Sequence, residues 1–180
     1  MAVIHSNKID IIKPIKIDRK SKHKELCEIG VKILRKGKLI IEYPQHNWDN
    51  GQFIERWHWR RSSKCNNILV EPQNITGIIP DVIGWNWIDS YVIEAKTSKQ
   101  DFKNDKNKNG FVGKYFFYLS YPNIININDL DIQGLIEYNP ETKVIEQKKN
   151  AIYDVENYSR DTEIAILLSI LRGRNINSRR

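Results

Sequence analysis

At 180 residues the chain has the length of one domain and can bury a single core, and its 40% apolar content is that of an ordinary soluble globular protein. No run approaches the ~18 consecutive apolar residues of a membrane span, and the N-terminal MAVIHSNKIDIIKPIK mixes charge with apolar residues too finely for a signal peptide. The 29 Lys and Arg against 22 Asp and Glu leave a net charge of +7 and a pI near 9.3, which favours a polyanionic partner through counterion release without naming one.

These features predict a cytoplasmic protein with no membrane partner. Cys27 and Cys65 match no zinc-ligand spacing and are read as reduced, inert thiols. The basic residues are concentrated at the ends. Lys13, Lys16, Arg19, Lys20, Lys22 and Lys24 are accompanied by Asp18 alone, and Arg172, Arg174, Arg179 and Arg180 by no acid. Each cluster is either a solvated tail or a phosphate-binding extension of one domain spanning residues 1–180.

In chain order, Leu26, Ile29, Ile33 and Leu34 fall on one face of a helix over residues 21–36, with Ser21 as its cap and Gly37 as its stop. Residues 38–43 read as a strand closed by Pro44. A long polar and aromatic stretch follows from Gln45 to about Asn67, then a short strand at 68–70. Residues 80–85 and 90–96 have the pattern of a hairpin turned at Asn86 to Asp89. Ser98 is expected to cap a helix reaching Lys106 or Lys108, with Asp101 as the capping-box acid and Asp105 on the helix surface. The aromatic run 115–121 reads as a strand ended by Pro122, and 132–138 with 143–147 as a strand pair around Asn139-Pro140. A last helix over 162–171 would bury Ile164, Leu167, Leu168 and Leu171. The order helix, strands, helix, strands, helix predicts an α/β fold with a mixed sheet flanked by helices.

Pro80-Asp81 stands thirteen residues before Glu94-Ala95-Lys96. Side chains alternate along a strand, so Glu94 and Lys96 leave on one face and Ala95 on the other. Asp81, at the start of the partner strand, can reach the same point. A hard divalent cation such as Mg²⁺ needs only one or two carboxylates because it keeps several waters. Such an ion acidifies water and offsets charge on phosphoryl oxygens, while Lys96 can orient or deprotonate the water or stabilise the transition state. Two acids and a lysine on one sheet edge therefore make a metal-assisted phosphodiesterase site, with Mg²⁺ or Mn²⁺ held by Asp81 and Glu94.

The segment Pro80-Asp81…Glu94-Ala95-Lys96 resembles the PD-(D/E)XK nuclease superfamily. The run Val92-Ile-Glu-Ala-Lys-Thr-Ser98, Asp101-Phe102, Asp105-Lys106, the aromatic strand and Gly134-Leu-Ile136 resemble its MmcB-like DNA-repair group. The likeness covers residues 80–147. It implies a restriction-endonuclease-like fold, a divalent metal and a DNA substrate. It also implies a first-helix glutamate, Glu25 or Glu28, that reaches the metal through water; solvated helix acids are the alternative. Many restriction enzymes in the superfamily act as homodimers, although no heptad or apolar stripe here argues for one.

Three further readings concern the surroundings. Gln100 is a candidate accessory residue beside the metal-bound water. Arg56, Trp57, Trp59, Arg60, Arg61 and Lys64 interleave basic and aromatic side chains, as a surface gripping phosphates and stacking on unpaired bases would; alternating tryptophans on one strand face are the other reading. Arg172 and Arg174 are candidate phosphate contacts. The sequence thus predicts a DNA endonuclease for repair, recombination or restriction, with a DNA-binding module carrying an inactive site, or an RNA-directed nuclease, as alternatives.

Overall fold

A computed structural model of the protein describes residues 19–49, 52–58, 63–72, 79–105, 112–153 and 158–177, with side chains undescribed for residues 42–49, 52–58 and 170–177. Helix α1 (Arg19–Lys36) is followed by strands β1 (Ile41–Asp49), β2 (Gln52–His58), β3 (Asn67–Val70), β4 (Val82–Trp85) and β5 (Ser90–Lys96). Helix α2 (Lys99–Lys103), strands β6 (Tyr115–Ser120), β7 (Gly134–Tyr138), β8 (Ile145–Lys149) and β9 (Ala151–Ile152), and helix α3 (Arg160–Asn177) complete the order. A six-stranded mixed sheet runs β3-β4-β5-β6-β7-β8, and a smaller sheet runs β2-β1-β9. Within the large sheet β5, β6 and β7 are parallel and the outer pairs antiparallel.

Strand alternation divides the core into two faces. Tyr91, Ile93 and Ala95 of β5, with Tyr115, Phe117 and Leu119 of β6, pack in the cluster that holds Leu26, Ile29, Ile33 and Leu34 of α1. Val92, Phe116 and Tyr118 face the opposite side, against Phe102 of α2 and Ile166 of α3. Both faces being covered explains why β5 and β6 are buried at every position rather than alternately. Gly134 lets β7 approach: a Cβ there would lie 2.3 Å from Phe117 Cδ1 and 3.0 Å from the Ala151 nitrogen. Gly134→Ala is expected to cost about 1–3 kcal/mol by overpacking in urea denaturation; a loss under about 0.5 kcal/mol, the scatter of surface substitutions, would mean the ring moves aside freely.

Several elements differ from the sequence expectation. α1 begins at Arg19, so Ser21 lies inside it rather than at its cap, while Gly37 does end it with φ +65°. β1 starts at Ile41 and runs through Pro44 into a hairpin with β2, which covers part of the polar and aromatic stretch and holds Trp57 on a strand. The β9 ladder on the other side of β1 stops at Glu42, so Pro44 sits where that edge forms no described pair and a missing N–H costs little. α2 ends at Lys103; the expected continuation to Lys106 or Lys108 falls partly outside the described residues.

α3 is longer than expected and rotated. Among its described side chains Ile166 and Glu163 are buried, whereas Ile164, Leu167 and Leu168 are each more than 40% exposed, and the Leu171 side chain lies outside the described residues. Glu163 fixes the rotation, because it accepts hydrogen bonds from Trp85 Nε1, Ser90 Oγ and Tyr158 Oη. A buried carboxylate with three donors outweighs the leucine stripe in deciding which face meets the sheet. No described helix is long and apolar enough to cross a membrane.

Candidate active site

The hairpin register brings the two acids together. Val82 pairs with Ile93, so the next positions outward set Asp81 opposite Glu94, and opposed residues of an antiparallel pair share a face. The turn that sets this register is closed by the Asn86 side chain, which accepts from the backbone N–H groups of Ile88 and Asp89. Asp81 is held from two sides: its carbonyl accepts from the Glu71 N–H at 2.9 Å, and its Oδ2 from the Ala95 N–H at 2.7 Å. Glu94, 5% exposed, places its carboxyl within hydrogen-bonding reach of Asp81. Burial first, and then the negative charge of Asp81, push Glu94 up to about 9. Two acids close enough to share a proton form the donor set that a hard cation would replace that proton in.

Lys96, two residues further along β5, joins them on the same face. Its Nζ lies 3.7 Å from Glu94 and 3.0 Å from Asp105, whose side chain is 4% exposed. Burial works against the ammonium, but the Glu94 and Asp105 carboxylates outweigh it and hold Lys96 above its ordinary value. Tyr118 Oη also donates to Asp105, at 3.0 Å. Asp105 is therefore a buried counter-ion that fixes where the Lys96 ammonium stands, not the helix-surface acid expected. The chain leaves β5 through a tight cap, as expected: Ser98 Oγ accepts from the Asp101 N–H, and Asp101 accepts from the N–H and Oγ1 of Thr97.

The predicted accessory residues do not join the acids. Glu25 accepts hydrogen bonds from Tyr121 Oη at 2.8 Å and Tyr138 Oη at 3.3 Å, and Glu28 is exposed on α1. Gln100 is exposed and donates to Asn104. The α1 side chain that does reach Asp81 is His23, whose Nε2 stands 3.3 Å from Oδ1. The hydrogen bond with Asp81, and next that with Cys27, push the imidazole up to about 11. Sequence reasoning passed over His23; its signal is a helical position two residues, just over half a turn, from Glu25, on a different face of α1.

Of the predicted nucleic-acid contacts, Lys64 is exposed. Arg56 and Trp57 lie in β2 and Arg172 and Arg174 in α3, but their side chains are outside the described residues, as are Trp59, Arg60 and Arg61 altogether. A cleft of about 660 Å³ opens beside α2, and Lys99, Lys103 and Lys148 line it together with Asp129 and Glu137.

Glu94 and His23 give a pH dependence of one sign. Folded Glu94 keeps its proton between its ordinary 4.5 and about 9, and folded His23 between 6.5 and about 11, where the unfolded chain has released both. Each contribution is full below the unfolded value and is lost as pH rises through the folded one. In chelator, the melting temperature is expected to fall from pH 6.5 to 9; a rise across that window would contradict the assignment.

No protein-family model matches the chain, and no curated protein matches it. Among solved structures it is similar to a protein of unknown function from Silicibacter pomeroyi, with 18% identity and a TM-score of 0.44 over 62% of this chain and 77% of that one. A likeness at that level decides neither fold nor activity.

Proposed function

We propose that the protein is a metal-dependent DNA endonuclease of the PD-(D/E)XK type, with a restriction-endonuclease-like fold, acting in the cytoplasm in repair, recombination or restriction. The observation that carries this reading is the meeting of the Asp81 and Glu94 carboxyls on one face of the β4–β5 hairpin, with the Lys96 ammonium beside them. Asp81 and Glu94 would hold Mg²⁺ or Mn²⁺, and the Ala95 carbonyl joins them because a strand residue sends its N–H and C=O to the same edge, and the Ala95 N–H points to Asp81. The bound ion would acidify a water and offset charge on the phosphoryl group.

The chain's own residues do the rest. Lys96 carries a fixed positive charge that orients the attacking water and meets the developing charge on phosphorus. Asp105 and Tyr118 restrain that ammonium so that it does not fold back onto Glu94 alone. Lys99 and Lys103 of α2 would hold backbone phosphates, with Arg56, Trp57, Trp59, Arg60, Arg61, Lys64, Arg172 and Arg174 as further proposed contacts. The half-exposed row Ile164, Leu167 and Leu168 on α3 is compatible with a homodimer.

The test presents duplex, single-stranded and branched DNA, and RNA, to the purified protein with Mg²⁺ or Mn²⁺. DNA cleavage that needs the cation is expected. DNA binding without cleavage would point to a recognition module, and cleavage of RNA alone to an RNA-directed nuclease.

A further inference from the structure

His23 and Cys27 are four residues apart on α1 and therefore project from one face of the helix, one turn apart. That face meets the chain just after β3, where Glu71 occupies the left-handed backbone region at φ +44°. The result is a cluster of three different donors. The imidazole nitrogen of His23, the sulfur of Cys27 and a carboxylate oxygen of Glu71 all lie within 4.8 Å of one another. Asp81 Oδ1 stands on its rim, 3.3 Å from the same His23 Nε2.

Hydrogen bonding alone accounts poorly for this crowding. Cys27 Sγ is 3.5 Å, Glu71 Oε1 3.4 Å and Asp81 Oδ1 3.3 Å from one ring nitrogen. A single N–H points at one acceptor, and both carboxylate distances exceed the ~2.7–3.2 Å of a good N–H···O bond. Two edges of the cluster fit a shared cation. Zinc bonds of about 2.3 Å to sulfur and about 2.05 Å to nitrogen and oxygen, at tetrahedral angles, give S···N and N···O edges of about 3.6 and about 3.3 Å. The observed edges are 3.5 and 3.4 Å.

We propose that His23, Cys27 and Glu71 form a binding site for a borderline-soft divalent ion, Zn²⁺, which adjoins the Asp81–Glu94 site, Asp81 Oδ1 standing 3.3 Å from the His23 nitrogen. Thiolate and imidazole select such an ion over Mg²⁺, which takes oxygen ligands. Cys27 is buried, while the Glu71 side chain is 60% exposed and that of His23 30%, so the ion enters from the carboxylate side. Three protein ligands leave the fourth position to water. The site ties α1 to the end of β3, and through the Glu71 N–H to the backbone of Asp81. The inference does not depend on nuclease activity.

The test titrates the metal-free full-length protein with Zn²⁺ by calorimetry and with Co²⁺ by absorbance. One equivalent of each is expected, Co²⁺ producing a thiolate charge-transfer band in the near ultraviolet. Cys27→Ser should remove that band, and His23→Gln and Glu71→Gln should each weaken Zn²⁺ binding at least tenfold. His23 and Glu71 are partly exposed, so those two variants test the site even if Cys27→Ser folds poorly. Glu28→Gln, exposed on the same helix, should leave Zn²⁺ affinity unchanged. Absence of micromolar Zn²⁺ binding, Co²⁺ binding without the band, or undiminished binding in the His23 and Glu71 variants would overturn the proposal, and would leave the Asp81–Glu94 reading untouched.

Discussion

Glu94→Gln is expected to lower divalent-dependent DNA cleavage by about 10³-fold, as loss of a group that stabilises transition-state charge does, while leaving the metal-free protein folded. The two halves have one cause. Burial and the charge of Asp81 hold Glu94 protonated at neutral pH, and an amide has nearly the shape of a protonated carboxyl. Glutamine therefore replaces the metal-free form with little loss, but it cannot supply the anionic oxygen that a cation requires. The checks are an initial-rate cleavage assay and thermal melts in chelator. The variant should also show a flatter fall of melting temperature between pH 6.5 and 9. Near-normal cleavage by Glu94→Gln would remove Glu94 from the site.

Asp105→Ala is expected to destabilise the protein by about 3–5 kcal/mol, the cost of removing one partner from a buried ion pair. Lys96 Nζ and Tyr118 Oη both bond to Asp105, and the truncation leaves the hydroxyl, on a ring packed by Phe102 and Phe116, without its acceptor and the buried ammonium with only Glu94 at 3.7 Å. Asp105→Asn should cost less, because the amide oxygen still accepts from one of them. Urea denaturation measures both. A loss under 1 kcal/mol for Asp105→Ala would mean that water reaches Lys96 and that its position is not set by Asp105.

The central hairpin was legible because its signals are local: the β-branched runs Val82-Ile83 and Val92-Ile93, an Asn-led turn, and a strand that places Glu94 and Lys96 on one face. The meeting of Asp81 with Glu94 follows from that register. The surroundings were not legible, because they depend on tertiary contacts. Asp105 reads as a helix-surface acid on an α2 continued to Lys106 or Lys108, yet α2 stops at Lys103, and the chain turns inward so that Asp105 meets Lys96. Glu25 and Glu28 were singled out because the resemblance implies a first-helix glutamate; Tyr121 and Tyr138 claim Glu25, and the α1 face turned to Asp81 carries His23 and Cys27. The α3 leucine stripe misled for a similar reason, since a hydrogen-bonded Glu163 sets the helix rotation. Cys27 gave no zinc spacing among cysteines; its partner is a histidine one turn back.

The most direct measurement follows nicking of supercoiled DNA against Mg²⁺ concentration for the wild-type protein beside Asp81→Ala and Lys96→Ala. Cation-dependent nicking by the wild type, reduced by about 10²–10⁴-fold in each variant, is the predicted result. Nicking that persists undiminished in both variants would place the chemistry elsewhere in the chain and contradict the account.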